Sequence, residues 1–205
     1  MASNFRILAT SFSTWARRTI GAALAGAAHA FGGRFTRMLV PSSGARDLFA
    51  PDGYHPMLDP FYSSSSLTVL HDGQAMTRID KLRLVAGWDG ALAVLQPCQQ
   101  HEVGLATINC GRCNKCHRTM VELEAIGRLG DALSFPRREI DAAFVKTMQM
   151  TGEFDVDYYG ECISLLTERG RADLAVALEE RLERFRRAQQ PPLWRRLLGR
   201  GAAGA

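Results

Sequence analysis

The spacing of four cysteines constrains this chain more than any other feature of its sequence. The pattern is C-x11-C-x2-C-x2-C, within the stretch CQQHEVGLATINCGRCNKC, at Cys98, Cys110, Cys113 and Cys116. Each short C-x2-C spacing lets one tight turn supply two ligands, and four thiolates in tetrahedral geometry suit zinc. Gly111 and Asn114 fit such a turn because both residue types tolerate the left-handed backbone conformation. The pattern therefore predicts a closed site with zinc as the cofactor.

Two other uses of these cysteines stay open at this point. A bacterial-type iron–sulfur cluster needs a further cysteine four residues after Cys116, and that position is Met120. Thiols without metal, free or paired in disulfides, are the other alternative. His101 and His117 flank the cysteines, and we interpret both as solvated or neighbouring histidines because four cysteines already fill the coordination shell.

The composition is that of an ordinary globular protein. The chain has 205 residues, of which 46% are hydrophobic and 22% charged. The net charge of +4 is small, so the sequence does not favour nucleic acid as a partner. No apolar run reaches the roughly 18 residues of a membrane span. Cysteines in a metal pattern favour a reducing compartment, and we predict a cytoplasmic location.

A strand, helix and strand pattern opens the chain. Residues 5–10 and 35–40 read as strands on either side of a small-residue helix at 16–31, which together predict a βαβ unit and a parallel sheet. A third strand is predicted at 67–71. Ligands of such sheets bind beyond the carboxyl ends of the strands. The arginine pair Arg17-Arg18 ahead of an alanine-rich stretch also imitates an export signal, but the strand and helix pattern runs through the cleavage site that this signal would need.

The remainder of the chain is predicted to be helical. The fold class that follows is α/β, with a partial parallel sheet (βαβ), a four-cysteine zinc knuckle and a helical C-terminal region. We predict an α/β half-domain at 1–128 that contains the knuckle (98–118), a helical region at 129–190 and a basic tail at 191–205. The predicted helices are 77–85, 88–95, 118–128, 137–150, 155–169 and 171–189.

The order of these features resembles a known family. A long loop with GYHPMLDPFYSSSS, a strand that ends in HDG, a helix TRIDKLRLVAG and the segment NCGRCNKCHRTMVELEAIG resemble the carboxyl-terminal half of PP-loop ATP pyrophosphatases, including 7-cyano-7-deazaguanine synthases. The resemblance covers roughly residues 5–128 and is strongest at the cysteines. It implies a four-cysteine zinc site, ATP and Mg²⁺ as further cofactors, and an ATP-dependent adenylating or amide- or nitrile-forming activity on a small molecule.

The family's phosphate-binding loop, SGG-x-DS, is absent from this sequence. The nearest string, PSSGARD at 41–47, lacks the paired glycines and the final serine. Whether the chain is an enzyme is therefore left open by its sequence. A missing amino-terminal half, or another protein partner, would supply the absent loop. The alternative is a non-catalytic zinc-binding structural or protein-interaction module that has lost ATP binding.

Polar residues near the predicted strand ends are candidates for binding substrate or phosphate. They lie after the second strand, in the long loop, after the third strand and on the following helix. Arg78 and Lys81 share a helix face because residues three apart are neighbours on a helix. No complete catalytic constellation follows from the spacing. The candidates are Ser42, Ser43, Arg46, Asp47, His55, Asp59, His71, Asp72, Arg78 and Lys81.

Overall fold

The computed structural model describes residues 7, 9–42, 52–98, 107–150 and 152–189. Contacts divide the chain into two compact units, Met1–Asp80 and Lys81–Ala205. The fold is mixed α/β: the described residues contain a two-stranded parallel sheet, and most of the rest is helical. The predicted domain bounds at 128 and 190 stay predictions.

The first unit consists of short helices and the parallel strand pair. The strands predicted at 35–40 and 67–71 are confirmed to within two residues, and they pair in parallel. Of the strand predicted at 5–10, residues 7, 9 and 10 are described, and none of these three lies in a strand. The predicted helix at 16–31 begins with a π-helical turn. The elements are α1 (Phe12–Thr14), the π-helix Trp15–Thr19, α2 (Ile20–His29), β1 (Arg37–Pro41), a 3-10 helix (Asp59–Tyr62) and β2 (Thr68–Asp72).

Only one face of the β1–β2 pair is buried. Side chains alternate along a strand, so Val40 and Val69 point into the core while Leu39 and Leu70 lie exposed on the other face. Leu67 completes the buried cluster, against which aromatic and small side chains of α2 and of the connection to β2 pack. The buried face thus holds the polypeptide between the two strands close to β2.

Two glycines allow this connection to approach the helical start of the unit. Gly21 donates a backbone hydrogen bond of 2.8 Å to the carbonyl of Gly53, and Gly53 donates one of 3.0 Å to the carbonyl of Ala16. A Cβ on Gly21 would lie 2.3 Å from that Gly53 oxygen, and a Cβ on Gly53 would lie 2.6 Å from the Ala16 oxygen. Only glycine fits either position without moving the backbone.

The second unit is helical. The helix predicted at 118–128 begins earlier, at Asn114, because the last C-x2-C lies on its first turn. The helix predicted at 137–150 is shorter, because Asp141 caps its start by accepting a hydrogen bond from the Phe144 N–H at 2.7 Å. The helices are α3 (Arg78–Ala86), which spans the unit boundary, α4 (Asp89–Ala93), α5 (Asn114–Ala125), a 3-10 helix (Leu129–Asp131), α6 (Ala142–Thr147), α7 (Glu153–Glu168) and α8 (Ala172–Gln189).

The core of the second unit lies between α5, α7 and α8. The apolar stripe of α8 packs inward, with Leu174, Leu178 and Leu182 buried. α7 contacts both α5 and α8, and α6 contacts α8. Cys162 on α7 is fully buried. The helix that leaves the cysteine knuckle is therefore part of the main core of this unit.

Among the helices in the described ranges, none has both the length and the apolar composition that crossing a bilayer requires.

Candidate metal centre

The four predicted cysteines come together in the second unit. Their sulfur atoms all lie within 4.8 Å of one another. The Sγ atoms of Cys98 and Cys113 are 4.0 Å apart, and those of Cys110 and Cys116 are 3.8 Å apart. None of the four is in a disulfide, whose sulfurs would be about 2 Å apart. The group could therefore hold a metal ion.

The sulfur separations can be tested against a single ion. Four sulfurs at a zinc–sulfur distance of about 2.3 Å in a tetrahedron lie about 3.8 Å from one another. The two separations above match that value. In an iron–sulfur cluster the thiolates bind different irons, so their sulfurs lie farther apart than on one ion. The donor set fits one tetrahedral ion.

A tight turn and a helix start supply three of the four ligands. Gly111 has a φ of 68°, so the turn between the first two knuckle cysteines uses the left-handed conformation that was predicted for it. Asn114, for which the same conformation was predicted, is instead the first residue of α5. Cys113 is the N-cap of α5, and Cys116 lies on its first turn. The positive end of the α5 dipole therefore lies at the cysteine group.

The fourth ligand is held in place by a buried asparagine. The Asn109 Oδ1 accepts a hydrogen bond from the Cys98 N–H at 3.3 Å, and its Nδ2 donates to the Leu95 carbonyl at 2.8 Å and to the Ser134 carbonyl at 3.0 Å. Asn109 is fully buried. Sequence reasoning missed this residue, because an asparagine beside a cysteine carries no signal of the distant backbone groups that it binds.

The protein environment shifts the pKa values of Cys110 and Cys116 in opposite directions. Burial opposes ionisation of the Cys110 thiol, but backbone N–H groups of Arg112 and Cys113 outweigh it and lower the pKa of Cys110 to about 7. Burial raises the pKa of Cys116, which is fully enclosed. A bound cation stabilises thiolates directly and deprotonates its ligands. Backbone N–H groups thus favour the thiolate form of Cys110 even without an ion.

His117 lies beside the site, but its side-chain contacts do not indicate a metal ligand. Its ring packs edge-on against Phe144, with ring centroids 4.8 Å apart. Burial lowers the pKa of His117, and the positive charge of Arg137 lowers it further. Within the described part of the chain, no hydrogen-bond partner faces its Nδ1 atom. His101, the other flanking histidine, lies outside the described residues.

A second group of predicted residues meets at the carboxyl ends of β1 and β2. The Asp59 carboxylate is fully buried and lies 2.7 Å from Nδ1 of His71, whose ring is almost completely buried. Asp59 also accepts a hydrogen bond from the His55 N–H at 3.1 Å. Tyr54, which was not predicted, stacks on His71 with ring centroids 6.1 Å apart. Ser42 is buried at the end of β1.

The other predicted candidates are placed as follows. Asp72 is exposed at the end of β2, and its carbonyl accepts the Ser42 N–H at 2.8 Å. Arg78 and Lys81 lie one turn apart on α3, as predicted. Ser43, Arg46 and Asp47 lie outside the described residues. Binding of substrate or phosphate by any of these residues stays a prediction.

Comparisons of the chain with protein-family models, with curated proteins and with solved structures found no match.

Proposed function

We propose that the chain is a zinc protein in which Cys98, Cys110, Cys113 and Cys116 hold one zinc ion with a structural role. The observation that supports this most is the approach of the four sulfurs: two of their separations, 3.8 Å and 4.0 Å, match the edge of a zinc–thiolate tetrahedron, and all lie within 4.8 Å. The ion would join the segment after α4 to the start of α5. Free thiolates persist in a reducing compartment, and the cytoplasm is part of this proposal.

A structural role follows from the closed coordination shell. Catalytic zinc keeps one position open for water or substrate, whereas four cysteines fill all four positions. Two of the ligands, Cys98 and Cys116, are buried at 6% and 0% exposure, so substrate has little access to the ion. Metal binding here would therefore contribute to the stability of the fold rather than to a reaction.

Replacing one ligand tests this proposal. Cys113→Ser is expected to lower bound zinc from one ion per chain to almost none, measured by inductively coupled plasma mass spectrometry after gel filtration, and to lower the melting temperature. Cys162→Ser is the control, because Cys162 is a buried cysteine of the same unit that lies outside the site. Its hydroxyl can still donate to the Tyr158 carbonyl, as the thiol does. A Cys113→Ser protein with full zinc and unchanged stability, or iron in place of zinc, would contradict the proposal.

A second proposal concerns the strand-end group of the first unit. We propose that this unit belongs to the carboxyl-terminal half of a PP-loop-like fold, similar to 7-cyano-7-deazaguanine synthases, with a ligand site beyond the ends of β1 and β2. Two observations favour it. The strands are parallel, and a buried Asp59–His71 pair stands at their carboxyl ends, where such sheets bind ligands. A partner or missing half would supply the phosphate loop for an ATP- and Mg²⁺-dependent reaction on a small molecule.

Titration of ATP and Mg²⁺ into the zinc-loaded chain distinguishes this second proposal from a non-catalytic zinc module. Micromolar binding that is lost in His71→Ala would support a nucleotide site at the strand ends. Absence of heat at all concentrations would favour the alternative, a structural or protein-interaction module. Zinc content is measured in the same samples, so the outcome does not depend on the first proposal.

A further inference from the structure

Two segments that are distant in sequence are joined at the outer side of the cysteine knuckle. Asn109 donates through its backbone N–H, at 3.1 Å, and through its side chain to the Ser134 carbonyl. A Cβ on Gly111 would lie 2.4 Å from Cγ of Pro136, so the knuckle turn and the 134–138 segment are in close contact. Charged residues that follow each contact point are therefore brought together on one surface.

The charges on this surface are mostly positive. Arg137 and Arg138 follow Pro136 and are exposed, and Arg112 follows Gly111 and is exposed as well. Lys115, half-buried, lies on the first turn of α5. We call these four residues the knuckle basic surface. Glu139 is the acidic residue that follows directly in the chain.

The two arginines of the 134–138 segment are available to a ligand. Among the described residues, none forms an ion pair or hydrogen bond with the guanidinium of Arg137 or Arg138. The Arg137 guanidinium lies over the Phe144 ring, 5.7 Å from the ring centroid. The Arg137 side chain remains exposed to solvent. Arg118, by contrast, is turned inward to Asp155 and Tyr158 and is not part of the surface.

The shape of the surface indicates the kind of ligand. Pro136, Arg137, Arg138 and Glu139 line a depression of about 380 Å³. These four residues are all exposed, whereas small-molecule sites enclose most of their ligand. A shallow surface with guanidinium groups, which bind phosphate oxygens in bidentate fashion, suits an extended chain of phosphates.

We propose that the knuckle basic surface binds the phosphate backbone of a nucleic acid, with Arg137 and Arg138 as the main contacts. Phe144 beneath Arg137 is buried, so no aromatic platform at this point offers stacking to a base. Binding is therefore independent of base sequence and depends strongly on salt, because each phosphate contact releases condensed counterions. This binding goes beyond the structural role of zinc, although the ion would hold the knuckle turn in place.

Fluorescence anisotropy of a labelled oligouridylate, titrated with the zinc-loaded chain between about 50 and 200 mM KCl, measures this binding. Each arginine that neutralises a phosphate contributes about 0.7 to the slope of log K against log salt on a single strand. The double variant Arg137→Gln, Arg138→Gln is expected to lower that slope by about 1.4 and to bind more weakly at low salt. Zinc content and the melting temperature of each variant confirm that the fold is kept.

The matched control is Arg184→Gln, Arg186→Gln on α8, which removes the same charge from two exposed arginines. It is expected to leave the slope unchanged, and competition by polyglutamate at equal charge is expected to be weak. An equal loss of slope in the control variant would show that the nucleic acid is attracted by net charge alone. An unchanged slope in the Arg137 and Arg138 variant would show that these arginines do not contact phosphates. Equal competition by polyglutamate would assign the surface to acidic proteins, and equal affinity for uridine monophosphate would assign it to single phosphates; each overturns the proposal.

Discussion

Gly111 is the residue at which the backbone of the knuckle is most constrained. Its φ is 68°, and Pro136 occupies the space that a Cβ would need. Gly111→Ala is therefore expected to destabilise the chain by about 1–3 kcal/mol, through left-handed strain and displacement of Pro136. Urea unfolding followed by circular dichroism measures the change. Gly130→Ala is the control, since no heavy atom lies within 4 Å of its added Cβ and its φ is not positive. Equal effects of the two substitutions would contradict this account.

Asp59 is a fully buried acidic residue that is stabilised by its contacts with His55 and His71. It accepts hydrogen bonds from the His55 N–H and lies in contact with His71, both in the first unit. Asp59→Ala leaves these groups without their acceptor, and a loss of about 2–3 kcal/mol is expected from thermal or urea unfolding. Asp72→Ala, at the exposed end of the same strand pair, should change stability by less than about 0.5 kcal/mol. A neutral Asp59→Ala would show that the pair is not needed for folding.

For single residues, the sequence was enough to predict the four clustered cysteines, but it was not enough to predict which residues contact one another across the fold. The four cysteines were predicted because thiolate spacing is a local property that one turn imposes. The pairing of Asp59 with His71 was not predicted, although both were candidates, because it depends on a connection that folds back onto β2. Asn109 was missed for the same reason, because it binds backbone groups of segments far away in the sequence.

Among the elements, α5 and α7 are joined by an ion pair in the core of the second unit. The Arg118 guanidinium contacts Asp155, lies over the Tyr158 ring at 4.7 Å from its centroid, and has a side chain only 11% exposed. Arg118→Ala would leave the buried Asp155 carboxylate without this cation, and a loss of about 3–5 kcal/mol is expected. Arg187→Ala is the control, because its pair with Glu183 is exposed on α8 and worth about 0.3–0.5 kcal/mol. Similar losses in both variants would contradict the buried role of Arg118.

Sequence patterns were enough to predict which segments form helices and strands. The residues at which these elements begin depend on contacts that such patterns do not predict. The apolar stripe of α8 was enough to predict a helix, and the strand, helix, strand order was enough to predict a parallel sheet. α6 starts only at Ala142, because the Asp141 side chain caps it and Pro136 lies in contact with the knuckle. α5 starts at Asn114 because Cys113 takes the N-cap position. Both limits are set by the metal knuckle and its neighbours.

In the whole molecule, all four cysteines belong to the same compact unit, Lys81–Ala205. Removal of the ion is therefore expected to act on the contacts of that unit. The knuckle turn, the Asn109 hydrogen bonds and the start of α5 depend on the cysteines directly. The β1–β2 ladder belongs to the other unit and contains none of the ligands.

Hydrogen exchange with mass spectrometry, before and after a zinc chelator, measures this difference. Amides at 107–117 are expected to exchange faster by at least tenfold after chelation, because a metal site contributes its binding free energy to the folded state of the segments that it joins. Amides of β1 and β2 are expected to keep their protection, and re-addition of zinc should restore the first set. Equal loss of protection in both units would mean that the ion stabilises the entire chain, and no change at 107–117 would mean that hydrogen bonds hold the knuckle without a metal.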